Sequence, residues 1–459
     1  MIKNMKTFKT KNTTKLALYA GAAALASFAP QLHAQSSDAL IDKLVDKGIL
    51  TTDEAKDLRD QADNDFKTAF QTKTGMPDWV TGYKITGSFR ARFDKVAGDN
   101  QNEIERDRYR YRLLFGLTVN MMDNLEAGFR LGSGDPQGSA GNPLSQNTTL
   151  TGNWSDKNIY IDVAYGKWTI LNGGNWLLAA TAGKMENPFT FTPMVFDADL
   201  TPEGMVVQGS YTVNDKHTIV YSAGGFVLQE VKTSMRDPFL YGGQVALNSK
   251  WTDKWASSVG VGAFAVGNPQ QLTTPANALL INQGNTRDVT GNLVNKYEPV
   301  IADASVTYTA DTFPFYTGAF PIKLQGEYMQ NPGAALGNMG YWTGIIFGKS
   351  GNKRTWDLTY RYEYLQADAW YDQLVDDDNG AYYATPNYAN NTAAKGWASG
   401  TNIRGHMVKF NYSFTDSLTF TVACFINDLI TRPPQNTSPN QVDLTSSALH
   451  FYADVLWKF

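Results

Sequence analysis

The 459-residue chain is poor in three things: it has one cysteine, four histidines, and only 18% Asp, Glu, Lys and Arg taken together. A lone Cys424 cannot form an internal disulfide, so an exported chain of this size needs another source of stability; Cys424 reads as a buried, inert thiol. Histidines are too few and too scattered for a hydrolase motif. Beyond His33, only His217, His406 and His450 occur, and none is followed by a recognisable nucleophile. No zinc-ligand spacing is present, and Gly132, Gly134 and Gly138 do not fit a phosphate cradle. Neither a metal nor a cofactor is expected. Long apolar runs are also lacking. The one extended run, Leu16 to Pro30, is too short and Ala-rich for a spanning helix, and mean hydropathy is negative, which excludes a helical membrane protein. Excess basic charge is missing too: the formal net charge is −4, which argues against nucleic acid as a partner.

What the sequence does contain begins with that apolar run. It follows Lys3, Lys6, Lys9, Lys11 and Lys15 and ends near Leu32-His33-Ala34, which is the layout of a secretory signal peptide over residues 1–34. Losing those lysines would move the net charge from −4 to about −9. Residues 35–75 differ in kind. Leu40, Ile41, Leu44 and Val45 recur at helical spacing, Gly48 can cap that helix, and Thr51 with Glu54 makes a capping box for a second. This predicts a short helical hairpin. Its narrow apolar stripe suits packing, through residues 38–73, on a neighbouring copy, the mouth of the domain that follows or the cell wall; the alternative is a periplasmic helical spacer with no specific partner.

From residue 76 onward the pattern is alternation. In ERDRYRYRLLFGLTVNMMDNLEAGFRLG, Tyr109, Tyr111, Leu113, Phe115, Leu117, Val119 and Met121 fall on one parity, opposite Arg106, Arg108, Arg110 and Arg112. A soluble sheet would bury the apolar face; a transmembrane barrel turns it to lipid and the charges to a wet lumen. The rest of the chain favours the barrel. Compact turns alternate with long polar loops at 94–104, 133–157, 185–202, 229–238, 267–298, 331–339, 369–401 and 428–445. Between them lie about sixteen segments, an even count with short turns at one end and long loops at the other. Aromatics collect at strand ends, and the last strand alternates through Leu449, Phe451, Ala453, Val455, Trp457 and Phe459, like an outer-membrane assembly signal. The expected fold is an all-β antiparallel transmembrane barrel of about sixteen strands over 76–459, closed so that no edge is left to aggregate.

Three stretches, LIDKLVDKGILTTDEAKDLRDQAD, RYRYRLLFGL and GKMENPFTFTPMVFDADLTPEG, resemble the bacterial "putative porin" family, over nearly all of the chain after its leader. The resemblance implies passive diffusion in the bacterial outer membrane and kinship with general and anion-selective porins, usually homotrimers of water-filled barrels.

A barrel of this size leaves an aqueous channel, which an inward loop can narrow. The third long loop, Met185 to Pro202, is the candidate. It carries Glu186, Asp197 and Asp199, with Glu203 just after, and its Phe189, Phe191 and Phe196 suit packing on the wall. Opposite it the lumen face offers Arg90, Arg92, Arg106, Arg108, Arg110, Arg112 and Arg130, with Arg90 and Arg92 expected nearer the loop end. Facing rows of opposite charge set a transverse field. Local charge outweighs total charge beyond a Debye length, so a weak anion preference is expected. The same arginines could instead pair with acids on neighbouring strands and only brace the wall. Asp376-Asp377-Asp378-Asn379-Gly380 lacks the glutamate of a calcium loop and reads as a solvated acidic tip. Two other functions stay open: a structural barrel tethering the envelope through its N-terminal helices, and a barrel hydrolase using His406 and His450.

Overall fold

The computed structural model describes residues 55, 58, 76–98, 105–137, 140–232, 234–272, 283–288, 292–383, 396–431 and 447–459. The expected signal peptide and nearly all of the expected helical hairpin lie outside these residues. Residues through Thr81 and Gly82–Phe459 are separate compact units, and the second is a closed barrel of sixteen antiparallel strands. In chain order these are β1 Val80–Gly98, β2 Arg106–Met121, β3 Leu125–Ser133, β4 Ile159–Gly173, β5 Trp176–Lys184, β6 Glu203–Asn214, β7 His217–Val227 and β8 Phe239–Lys250. They continue as β9 Trp255–Gly267, β10 Val300–Ala310, β11 Phe320–Gln330, β12 Met339–Gly348, β13 Thr355–Leu365, β14 Ile403–Ser413, β15 Leu418–Leu429 and β16 Ala448–Lys458. Each strand pairs with its neighbour in sequence, and β1 pairs with β16 from Ser88↔Lys458 to Gly98↔Ala448. Gly87 and Phe459 exchange two backbone hydrogen bonds at the end of that seam, of 2.7 and 3.0 Å.

The alternation read from the sequence sets the faces. On β2, Tyr109 is 63% exposed and Phe115 46%, whereas Arg110 between them is 8% exposed, so the apolar parity points out and the arginines point in. The outer face stays apolar around the barrel through residues such as Val259, Val261, Leu324 and Val408. Strand lengths run from nine residues in β3 and β5 to nineteen in β1, enough for a tilted strand to cross a bilayer. The β2–β3 turn holds Asp123 and Asn124 at φ of 59° and 60°, a left-handed geometry that Asp and Asn tolerate and that matches the twist of the strands. Because Val259 is 59% exposed in the middle of β9, Val259→Arg should cost about 2–4 kcal/mol. A urea titration of the folded fraction in lipid vesicles measures this; an unchanged midpoint would mean that this face does not meet lipid.

Strand ends agree with the sequence expectation to within a few residues, except that β1 runs on to Gly98 rather than stopping at 93 and β4 to Gly173 rather than 168. Asp94 and Lys95 look like loop residues, but each finds partners beside β1. Asp94 points inward to Arg108 and Arg110, while Lys95 lies 3.6 Å from Glu105 and 3.5 Å from Asp107.

The lumen is filled on one side only. Loop 3, residues 185–202, crosses it, and its Phe189, Phe191, Met194, Val195 and Phe196 are buried against inward side chains of the β6–β13 wall, among them Phe226, Leu240, Phe264 and Trp342. Phe264 meets Phe189, Phe191 and Phe196 edge-on, at 4.8 to 5.8 Å between ring centroids, an arrangement that favours aromatic pairs. Polar wall residues lace the loop down. Gln244 exchanges hydrogen bonds with Thr190, Glu327 accepts from the Thr192 hydroxyl at 2.6 Å, and Ser222 donates to the Pro188 carbonyl. The three loop phenylalanines therefore pack on the barrel wall, in the role their composition implies.

Candidate functional site

What remains open of the lumen is a passage along the β1–β4 and β14–β16 wall, opposite the apolar filling. It consists of two chambers, of about 540 Å³ toward the turn end and about 680 Å³ toward the loop end. Gln146, Asp199, Thr201, Asp377 and Asp378 line both and so mark where the two meet. Three of these five side chains are carboxylates.

The arginines reach this passage from the wall because inward positions recur every second residue on adjoining strands. Arg90, Arg92, Arg112 and Arg130 line the turn-side chamber, and Arg108 and Arg110 the loop-side one. Arg106 is exposed at the loop end of β2 and lines neither. The placement of Arg90 and Arg92 corrects the expectation that they lie near the loop end. With β1 extended, they stand opposite Leu456 and Asp454 of β16, toward its turn end. Of the acids, Glu186 and Asp197 line the turn-side chamber, Glu203 the loop-side chamber, and Asp199 both.

Few of these charges are independent. Arg92 holds Asp454 of β16 through two hydrogen bonds of 2.8 and 2.9 Å and Asp378 of the loop at 2.8 Å, with its guanidinium 3.7 Å from the centre of the Tyr452 ring. Arg108 and Arg110 share Asp94, at 2.8 and 3.2 Å. Arg112 meets Asp199 at 2.8 Å, and Arg130 is paired with both Asp162 and Glu186. Arg90 donates to Asn147 at 2.7 Å and lies 3.8 Å from Asp454. The ladder is thus braced by wall acids and at the same time tied to two loops that enter the lumen.

The second of those loops is the seventh, 366–402, which the sequence does not mark out. Its Trp370 is fully buried in the lumen filling and donates from Nε1 to the Val195 carbonyl of loop 3 at 2.7 Å. The backbone N–H groups of Asp197 and Asp376 donate to the carbonyls of Leu374 and Pro193, and the Asp377 N–H donates to the Asp197 carboxylate at 2.7 Å. The acidic run 376–378 is therefore packed beside loop 3, which corrects its reading as a solvated tip. A run of acids beside glycine resembles an exposed loop; the buried Trp370, Tyr371, Leu374 and Val375 just before it are the signal that it folds inward.

Carboxyl oxygens of Asp197, Asp376 and Asp377 lie within 4.8 Å of one another. Burial, then the charges of Asp377, Asp199 and Asp376, holds the Asp197 carboxyl well above the usual range. Asp377 is likewise raised, by burial first and then by Asp378, Asp199 and Asp376. Burial also pushes Asp378 up, but Arg92, His450 and Arg90 outweigh it and hold its pKa at about 2. Two neighbouring loop acids therefore favour keeping a proton while a third stays ionised.

The histidines do not come together. His406 points outward on β14, with Nδ1 2.9 Å from the Tyr360 hydroxyl. His450 points inward on β16, with Nδ1 2.7 Å from the Asp378 carbonyl and Nε2 3.3 Å from Asp94.

No curated protein matches the sequence. Among solved structures, the chain is similar to OprB of Pseudomonas putida (12% identity, 85% of this chain and 97% of that one, TM-score 0.49). It is also similar to OccK5 (OpdH) of Pseudomonas aeruginosa (12% identity, 83% and 99%, TM-score 0.40). A loop L8 deletion mutant of OmpT from Vibrio cholerae gives 11% identity, 82% and 99% coverage, and a TM-score of 0.44. The family model described as "Putative porin" matches residues 99–278, which run from just before β2 through loop 3 and the first strands it packs on. Over that stretch the resemblance read from the sequence holds: residues 99–278 are similar to the family described as "Putative porin".

Proposed function

We propose that this chain is an outer-membrane porin that lets small hydrophilic solutes and ions diffuse passively through its barrel. The family match and the closed barrel support the porin reading. The observation that carries the mechanism is the pair of chambers meeting at one charged junction, which we take as the narrow point. A solute entering from the loop end passes Arg108 and Arg110, crosses the slot between the loop acids and the arginine wall, and leaves past Arg90, Arg92, Arg112 and Arg130. Nothing in this route requires a bond to be made or broken. The facing charges orient a dipolar solute and replace part of its hydration, so passage is a matter of size and field.

Net selectivity depends on the proton held by Asp197 and Asp377. With that pair protonated, the cations of the turn-side chamber slightly outnumber its ionised carboxylates, and a weak anion preference results. With both ionised the balance tips the other way. A homotrimer, and contact of residues 38–73 with the cell wall or another periplasmic partner, remain part of this proposal. The separation of His406 and His450 on opposite faces of the wall weighs against a hydrolase built on that pair.

Single-channel recording in a planar bilayer under a salt gradient tests the reading. Discrete steps with a small reversal potential are expected, and steps in groups of three would go with a trimer. A folded, heat-modifiable barrel that gives no steps would overturn the porin function and bring the structural-tether reading forward.

A further inference from the structure

Loop 7 supplies two of the three acids that line both chambers, Asp377 and Asp378, and Arg92 on the barrel wall is not its whole anchorage. It is gripped from loop 5, at residues 283–288. The Asn285 side chain donates to the carbonyls of Ala367 and Trp370, at 2.6 and 2.7 Å, and accepts the N–H of Asp372 at 2.9 Å. Asp372 in return takes the N–H groups of Gln283 and Asn285 and lies 3.1 Å from Arg287 in an ion pair shut off from solvent. One turn of chain earlier, Asp368 accepts from the Thr286 N–H and the Tyr297 hydroxyl. At the far end of loop 7 the backbones come close enough that a Cβ added to Gly400 would overlap the Gln283 carbonyl, beside the hydrogen bond from the Thr401 N–H to that same oxygen.

A buried amide making three bonds to two sides of one loop fixes that loop's path, because any other path leaves its donors and acceptors unpaired in a dry place. Asn285 is 3% exposed and Asp372 fully buried, so water cannot substitute. Two residues after Asn285 clasps the Ala367 and Trp370 carbonyls, the chain reaches Asp372, and from there it runs directly into Leu374, Asp376 and Asp377, which pair with loop 3. None of these contacts belongs to the strand ladder, which is complete without them.

We propose that Asn285 and Arg287 of loop 5, with Asp372 of loop 7, form a latch: a set of positioning residues that holds the loop 7 acids at the narrow point and so sets pore width and ion preference from outside the pore. Asn285 lines neither chamber, so its influence is exerted through loop 7. This inference rests on the porin reading for its conductance readout, but not for its second one.

The test compares Asn285→Leu, similar in volume but unable to pair, with the unaltered chain, and adds Gly400→Val as an independent way to part the same two segments. Both variants are expected to stay heat-modifiable, to conduct about twofold more per channel, and to have a reversal potential nearer zero. In a Cys424→Ser background, Asp377→Cys should react with a charged, water-borne thiol reagent on the order of tenfold faster once Asn285→Leu is added, because opening exposes it. Folded variants with unchanged conductance, reversal potential and labelling rate would overturn the latch. If the unaltered chain itself does not conduct, the porin reading fails, and the labelling rates alone decide whether the latch holds loop 7.

Discussion

Trp370→Ala is expected to widen the channel severalfold while leaving the barrel folded. The indole is fully buried, lies 5.9 Å from the rings of both Phe196 and Phe264, and supplies the hydrogen bond to the Val195 carbonyl. Truncating such a residue costs about 3–5 kcal/mol where the surroundings cannot collapse, and here it also strips a buried carbonyl of its donor. That loss falls on the contact between two loops, not on the wall. Every strand keeps both neighbours, so heat-modifiability should survive while the loops swing apart. Single-channel conductance should rise by about two- to threefold, with a reversal potential close to zero. Wild-type conductance from a folded Trp370→Ala barrel would show that the lumen filling does not govern the passage.

The second large effect is a change of ion preference with pH. Asp197 and Asp377 bind a proton more tightly in the folded chain than carboxyls ordinarily do. The pair stays charged by less than two units through the range above the ordinary carboxylate value of about 4, and loses its protons only well beyond it. As pH rises through that range, each proton lost adds negative charge at the slot, so the reversal potential should move toward cation preference. Stability follows the same sign. The folded form holds more protons than the unfolded one between the two pKa values, so the loop 3–loop 7 contact is strongest below the unfolded value and weakens as pH rises. Asp197→Asn should remove most of the shift. A pH-dependent reversal potential of undiminished size in Asp197→Asn would assign the effect elsewhere.

Much of this molecule is legible in its sequence because a barrel wall obeys a two-residue period that side-chain chemistry reports directly. Tyr109, Tyr111, Leu113 and Phe115 alternate with Arg108, Arg110 and Arg112, Leu114 alone breaking the inward face, and β2 lies where they place it. Loop 3 is legible for a related reason: three phenylalanines in a polar loop need a dry surface, and only the lumen filling provides one. The failures have physical causes as well. Asp94 and Lys95 look like the end of a strand because charge is uncommon inside a sheet, but each has opposite charge beside it, and so β1 continues. Loop 7 has no period to read. Its path is dictated by Asn285, Asp368 and Asp372, whose hydrogen bonds between loops 5 and 7 join positions more than seventy apart along the chain. Long-range polar pairing of that kind leaves no local pattern.

The one-sided filling of the lumen also bears on how far each charge reaches. A packed hydrocarbon mass polarises weakly, so it cannot shield the loop acids standing in front of it or the arginines that pair with them, Arg92 with Asp378 and Arg112 with Asp199. Field lines from these charges are confined to the remaining passage instead of spreading through a full bore. Mobile salt has little room to gather there. If the passage conducts as proposed, it is a slit capacitor with an insulator behind one plate, and its discrimination should fade with added salt more slowly than the bulk Debye length dictates.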